Sequence, residues 1–159
     1  MHVANNTVVL VADGRKLLFL RNKGDATDLD LQVETAQEHA NPADRDQATD
    51  AAGRASSSAG GGGHGSAPAG SAPGTRSSVG ETDYHQLEED RFAADAADLL
   101  KRRVLAHDFD HLIVVAPPRT LGELRKHYHG EVSKRLAGEL GKDLTGHPIA
   151  DIEKALLAA

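Results

Sequence analysis

The 159-residue chain contains no cysteine, which excludes disulfides and thiolate-held metal centres. Aromatic residues are scarce, 3% of the chain, and limited to Phe19, Phe92, Phe109, Tyr84 and Tyr128. The interior must therefore be built from Leu, Val, Ile and Ala, and recognition of RNA by base stacking has few rings to use. No basic segment followed by an apolar run opens the sequence, which argues against a signal peptide. No apolar run approaches the ~18 residues needed to cross a bilayer. A cytoplasmic protein without a membrane partner is expected.

Charge of one sign is also in short supply in one half of the sequence. The formal net charge is −6. Residues 1–90 carry 7 Lys+Arg against 14 Asp+Glu, or −7, and residues 91–159 carry 11 against 10, or +1. The acidic balance opposes tight nonspecific binding to nucleic acid. Within 119–135, however, Arg119, Arg125, Lys126, Lys134 and Arg135 face only Glu123 and Glu131, with His127 and His129 beside them. That local excess could favour a polyanion, although a solvated helical face explains it as well.

The apolar pattern places the elements. Residues 7–12 are β-branched and almost wholly apolar, as in a strand covered on both faces. Asp13-Gly14 then signals a tight hairpin, and residues 17–20 return as a second strand. Residues 29–35 alternate apolar and polar, the period of a third strand with one wet face. From about 41 to 80 the pattern fails. Residues 53–80 hold nine of the sixteen glycines and one aliphatic side chain larger than alanine, Val79. Such a stretch buries too little surface to offset its conformational entropy, and a disordered Gly/Ser/Ala loop is expected. Without it, roughly 120–130 residues remain to bury one core.

A helix is expected to begin near Tyr84–Glu88, with Leu87, Phe92, Ala96, Leu99, Leu100 and Val104 on one stripe. Residues 112–116 read as a buried strand stopped by Pro117-Pro118, and a second helix starts near Arg119–Thr120. The spacing over 131–141 suits either a helix or a short strand, and alternation favours a strand at its end. A last helix follows Pro148. The expected class is α/β in the mixed α+β sense, a mixed sheet in the order β-β-β-loop-α-β-α-β-α. The whole of 1–159 is taken as a single domain interrupted at about 41–80.

Several segments, in order, resemble the bacterial "protein required for attachment to host cells" family. They are Val11-Ala-Asp-Gly14, Gly53-Arg54, Phe92-Ala93, Leu112-Ile-Val-Val-Ala-Pro-Pro118, Leu121-Gly-Glu-Leu-Arg125 and Lys142-Asp-Leu-Thr-Gly-His-Pro148. That family looks like a distant relative of the middle domain of archaeal and eukaryotic peptide-chain release factors. The resemblance implies a mixed sheet with a mobile loop before a long helix, which in true release factors carries Gly-Gly-Gln. Here the loop offers Gly60-Gly-Gly-Gly63, and no Gly-Gly-Gln occurs. The nearest glutamine, Gln86, follows His85 at the expected helix start. Peptidyl-tRNA hydrolysis is not carried over.

The residues leave the following candidates. Arg119, Thr120, Arg125 and Lys126 lie beyond the carboxyl end of an interior strand, where open α/β sheets bind ligands. A helix N-terminus there offers free N–H groups and Arg119 adds charge. The alternative is that Gly122 permits close packing and Arg125 pairs internally. Asp13 ends the first strand as a metal-binding carboxylate does in some nucleases, but a hairpin turn explains it fully and is the favoured reading. The nine histidines form no metal signature, and the glycine run lacks the ending of a phosphate-binding loop. No metal and no cofactor is expected. The reading is a non-catalytic binding module for RNA, the ribosome or a protein partner. Alternatives are a hydrolase of RNA or peptidyl-tRNA using Asp13, His85 or Gln86, and a stress-linked regulatory interaction protein.

Overall fold

The structure is a computed structural model that describes residues 1–38 and 73–159, with side chains from residue 84 onward in the second stretch. The chain divides into two units, Met1–His39 with Glu89–Ala159, and Ala40–Glu88. The expected loop up to residue 72 lies outside the described residues.

The first unit contains a mixed five-stranded sheet. Its strands are β1 (Val8–Ala12), β2 (Lys16–Asn22), β3 (Leu31–Glu38), β4 (Leu112–Val115) and β5 (Leu136–Leu140), arranged β3-β2-β1-β4-β5. β1, β2 and β3 form an antiparallel meander, while β4 pairs parallel with both β1 and β5. The helices are α1 (Pro73–Leu105), α2 (Pro118–Arg125), α3 (Gly130–Arg135) and α4 (Ile149–Ala158). The α/β class follows the sequence pattern, and so does the element order apart from one additional short helix, α3.

The segment that the spacing left ambiguous is both things at once, the short helix α3 followed directly by β5. His129 caps the helix, and Leu136 turns extended at its end and starts the strand. A second difference lies at the start of α1. The helix begins at Pro73 rather than near Tyr84, over residues rich in Gly, Ser and Thr. Proline at the first helical position loses no hydrogen bond. Propagation from a helix already held at 92–104 fixes one residue per bond formed, so weak propensity does not stop it. Leu87, expected on the buried stripe, is 63% exposed. It belongs to the second unit.

Both faces of the sheet are covered, which is why β1 and β4 are apolar without alternation. On one face Leu10, Phe19, Leu112 and Val114 pack with Phe92, Ala96, Leu100 and Val104 of α1 and Leu121 and Leu124 of α2. On the other, Val9, Val11, Leu20, Leu31, Ile113 and Val115 pack with Ile152 and Leu156 of α4. Burying one such Leu or Phe contributes about 1.5–3 kcal/mol.

A shift of register between Phe19 and Leu20 sets Phe19 opposite Thr35 and Leu20 opposite Val33, leaving Glu34 as the extra residue. Glu34 and Thr35 therefore both reach Arg103 of α1, at 3.0 and 3.1 Å. Buried Arg21 bonds Glu34 at 2.7 Å, lies 3.1 Å from Asp108 and donates to the Asp108 carbonyl at 3.0 Å. Arg103 also lies over the Phe19 ring, 4.1 Å from its centre. The Glu34 hydrogen bond holds the Arg21 guanidinium more firmly protonated than usual. Burial by itself would raise the Glu34 carboxyl, but hydrogen bonds from Arg21 and Arg103 outweigh it and hold the group below its ordinary value.

Candidate functional site

Three chain segments leave the carboxyl ends of β1, β4 and β5 at the same edge of the sheet. After β1 the chain turns at Asp13-Gly14. The Asp13 Oδ1 accepts the backbone N–H groups of Arg15 and Lys16 at 2.8 and 2.7 Å. Gly14 has φ +99°, a conformation that side-chain-bearing residues rarely adopt. After β4, Pro117 and Pro118 turn the chain into α2, whose start has no side-chain cap. After β5 comes the loop 141–148. A Cβ built on Gly14 would lie 3.8 Å from Thr120 Oγ1, and one on Gly141 would lie 3.5 Å from Pro118. The three segments are thus in contact.

The turn after β1 and the loop after β5 flank an open cleft of about 370 Å³ lined by Asp13, Lys16, Asp143, Thr145, Gly146 and His147. The Thr145 hydroxyl stands 2.9 Å from Asp13 Oδ2 and 2.9 Å from Asp143 Oδ1. Its contact with Asp13 ties the first turn to a loop 132 positions later. Among the described residues no three His, Asp or Glu side chains group closely enough to hold a metal ion.

The residues on and after α2 are arranged differently. Arg119 Nε lies 2.9 Å from Glu89 of α1, while Arg125 grips Glu139 of β5 through Nη2 and Nε at 2.8 and 3.1 Å. The two arginines therefore reach opposite flanks of α2 and do not converge. Lys126 pairs with Glu123 at 3.1 Å, and Lys134 and Arg135 share Glu131 at 3.0 and 3.2 Å. Every cation of the 119–135 cluster thus has a carboxylate. The Glu139 hydrogen bond raises the Arg125 guanidinium, and the Lys134 and Arg135 contacts hold the Glu131 carboxyl below its ordinary value. Burial first, then nearby Glu139, pushes the Tyr128 hydroxyl up.

His127 Nε2 lies 3.0 Å from Asp90, and His129 Nδ1 accepts the Glu131 N–H as the cap of α3. A Cβ on Gly122 would meet nothing within 4 Å, so close packing is not the reason for that glycine. His85 and Gln86 are exposed positions of α1 within the second unit.

Of the sequence candidates, the structure brings Asp13 and Thr120 to one end of the sheet and spreads Arg119, Arg125 and Lys126 over separate pairings. Lys16, Asp143 and Thr145 were not singled out. The signal available for them was the segment 142–148 directly after a strand, and it carried no charge pattern of its own. Glu89 and Glu139, partners of the two arginines, lie far away in sequence and gave no signal.

Residues 6–156 match the model of the bacterial archaeo-eukaryotic release factor family 12, and the chain belongs to that family. No curated protein matches it. A release-factor-like domain is consistent with the mixed sheet just described. Among the described residues no helix is long and apolar enough to cross a membrane.

Proposed function

We propose that this chain is a non-catalytic, cytoplasmic binding module of the translation apparatus. In this reading it is one domain over 1–159 with an insertion at about 41–80. The α2–α3 face, with Arg119, Thr120, Arg125 and Lys126, meets a protein surface carried by the ribosome or by one of its factors. The observation that supports a protein over RNA is the pairing of all five cations of 119–135 with Glu89, Glu123, Glu131 and Glu139. RNA binding gains its strength from cations that replace counterions on phosphates, and cations already engaged by carboxylates must first give up those partners. A surface with both signs interleaved suits a protein that is equally mixed.

Membership of a release-factor family supports the link to translation. The absence of Gly-Gly-Gln from the sequence supports a module that does not hydrolyse peptidyl-tRNA. A part in attachment to host cells, as the likeness to the host-attachment family implies, is then indirect.

Co-sedimentation with ribosomes tests this, alongside filter binding to tRNA. The expected result is ribosome binding with a shallow salt dependence, lost in the double variant Arg119→Ala/Arg125→Ala, and no retention of tRNA that depends on these two arginines. Ribosome binding untouched by the double variant would remove the face from the reading. Steeply salt-dependent retention of tRNA that the double variant abolishes would replace the protein partner with RNA, and accelerated release of peptide from peptidyl-tRNA would overturn the non-catalytic assignment.

A further inference from the structure

The cleft between the turn after β1 and the loop after β5 differs from the α2–α3 face in how its charges are left. Lys16 lines the cleft and has no ion-pair partner among the described residues, and neither have Arg15 and Lys142, the exposed neighbours of cleft residues Lys16 and Asp143. These cations are available, whereas those on and after α2 are engaged.

The acceptors inside the cleft are in excess of the donors. One hydroxyl carries one proton, so Thr145 can donate to only one of the two carboxylate oxygens that stand 2.9 Å from it. The Thr145 N–H already serves Asp143 Oδ1 at 3.3 Å, which leaves the hydroxyl proton for Asp13. Asp143, which lines the cleft, then has an Oδ2 with no hydrogen-bond donor among the described residues. A ligand suited to this lining brings hydroxyl donors for the carboxylates and an anion for the ammonium group. Vicinal hydroxyls beside a phosphate meet both demands, and carboxylates are the usual partners of ribose hydroxyls in open α/β sheets. The volume, about 370 Å³, falls within the range of small-molecule sites.

We infer that this cleft binds a terminal ribonucleotide, its free 2′,3′-hydroxyls donating to Asp13 and Asp143 and its phosphate meeting Lys16, with Arg15 and Lys142 at the rim. A free mononucleotide and the 3′ end of an RNA present the same groups. The inference does not rest on the protein partner proposed for the α2–α3 face, and it is read at different residues.

Amide chemical shifts of the full chain, titrated with AMP, test it. Inorganic phosphate and 2′,3′-dideoxy-AMP serve as controls, with a short RNA bearing either a free or a phosphorylated 3′ end as the second arm. Saturable shifts at 13–16 and 142–147 are expected. The dideoxy compound and phosphate should bind at least about tenfold more weakly than AMP, and Lys16→Ala and Asp143→Asn should each weaken AMP by at least about tenfold. Asp143 is exposed, so its amide variant keeps the fold, as undisturbed shifts elsewhere will show. The same shifts produced by the free-ended RNA, but not by AMP or the phosphorylated RNA, would assign the site to an RNA terminus. Shifts absent with both ligands, equal affinity for the dideoxy compound, or affinity unchanged in both variants would overturn the inference.

Discussion

Two charged regions of this molecule share the same side chains and differ in surroundings. Around Arg21, two arginines and two acids are packed between β2, β3 and the end of α1, with Arg21 only 7% exposed. On the α2–α3 face the cations instead stand in solvent, Arg125 being 56% exposed, while their partners Glu139 and Glu123 are largely covered. A buried guanidinium that loses its partner is left as an uncompensated charge in a poorly polarisable medium, whereas water replaces the partner of an exposed one. Pairing on the surface therefore governs what the face can bind more than how stable the domain is. Pairing in the interior governs the shape of the sheet edge itself, because Glu34 reaches Arg21 and Arg103 only through the register shift in β3.

That contrast can be broken in several ways. Arg21→Ala should have the largest effect, a loss of about 3 kcal/mol in urea unfolding, since it strips a partner from Glu34 and Asp108 together and empties buried space. A loss below about 1 kcal/mol would mean that the cluster around Arg21 is no more structural than the surface pairs.

Glu34→Gln should cost less, about 2 kcal/mol at neutral pH, because Asp108 still faces Arg21. Its pH dependence sharpens the comparison. The folded state holds the Glu34 carboxyl below its unfolded value, so its stabilisation is complete above the unfolded value and disappears as pH falls through the folded one. The gap between the parent and Glu34→Gln should therefore close on acidification below about pH 4. A gap that stays constant to pH 2 would assign the loss to packing instead of charge.

Glu139→Gln and Arg125→Ala should leave the unfolding midpoint within experimental error, and raising salt should change the parent and these variants alike. Arg119→Ala, at the other flank of α2, should have the smallest effect on stability while still contributing to the loss of ribosome binding. A clear drop in midpoint for any of the three would show that the surface pairs share the structural role of the interior ones.

Much of the fold was legible in the chain because it follows from local pattern. The unbroken apolar runs of β1 and β4 announce strands covered on both faces, Asp13-Gly14 announces the hairpin, and Pro117-Pro118 announces the end of β4 and the start of α2. Where two local signals were nearly balanced, as at 131–141, the pattern could name both elements but not divide them. The early start of α1 was hidden for a related reason. Propensity at 73–83 is poor, and continuation from the packed part of the helix is not written in those residues.

The candidate site was less legible. The local charge excess of 119–135 was visible, but its neutralisation depends on Glu89 and Glu139, which approach only when α1 and β5 pack beside α2. The junction of Asp13 with Thr145, 132 positions apart, is equally nonlocal. By itself the sequence determined the α/β class, the strands and their turns, the apolar core and the lack of Gly-Gly-Gln, because each of these is a property of neighbours along the chain. Only the tertiary structure decided which cations remain available and which carboxylates share a cleft, because charge pairing depends on distance in space, and folding sets that distance.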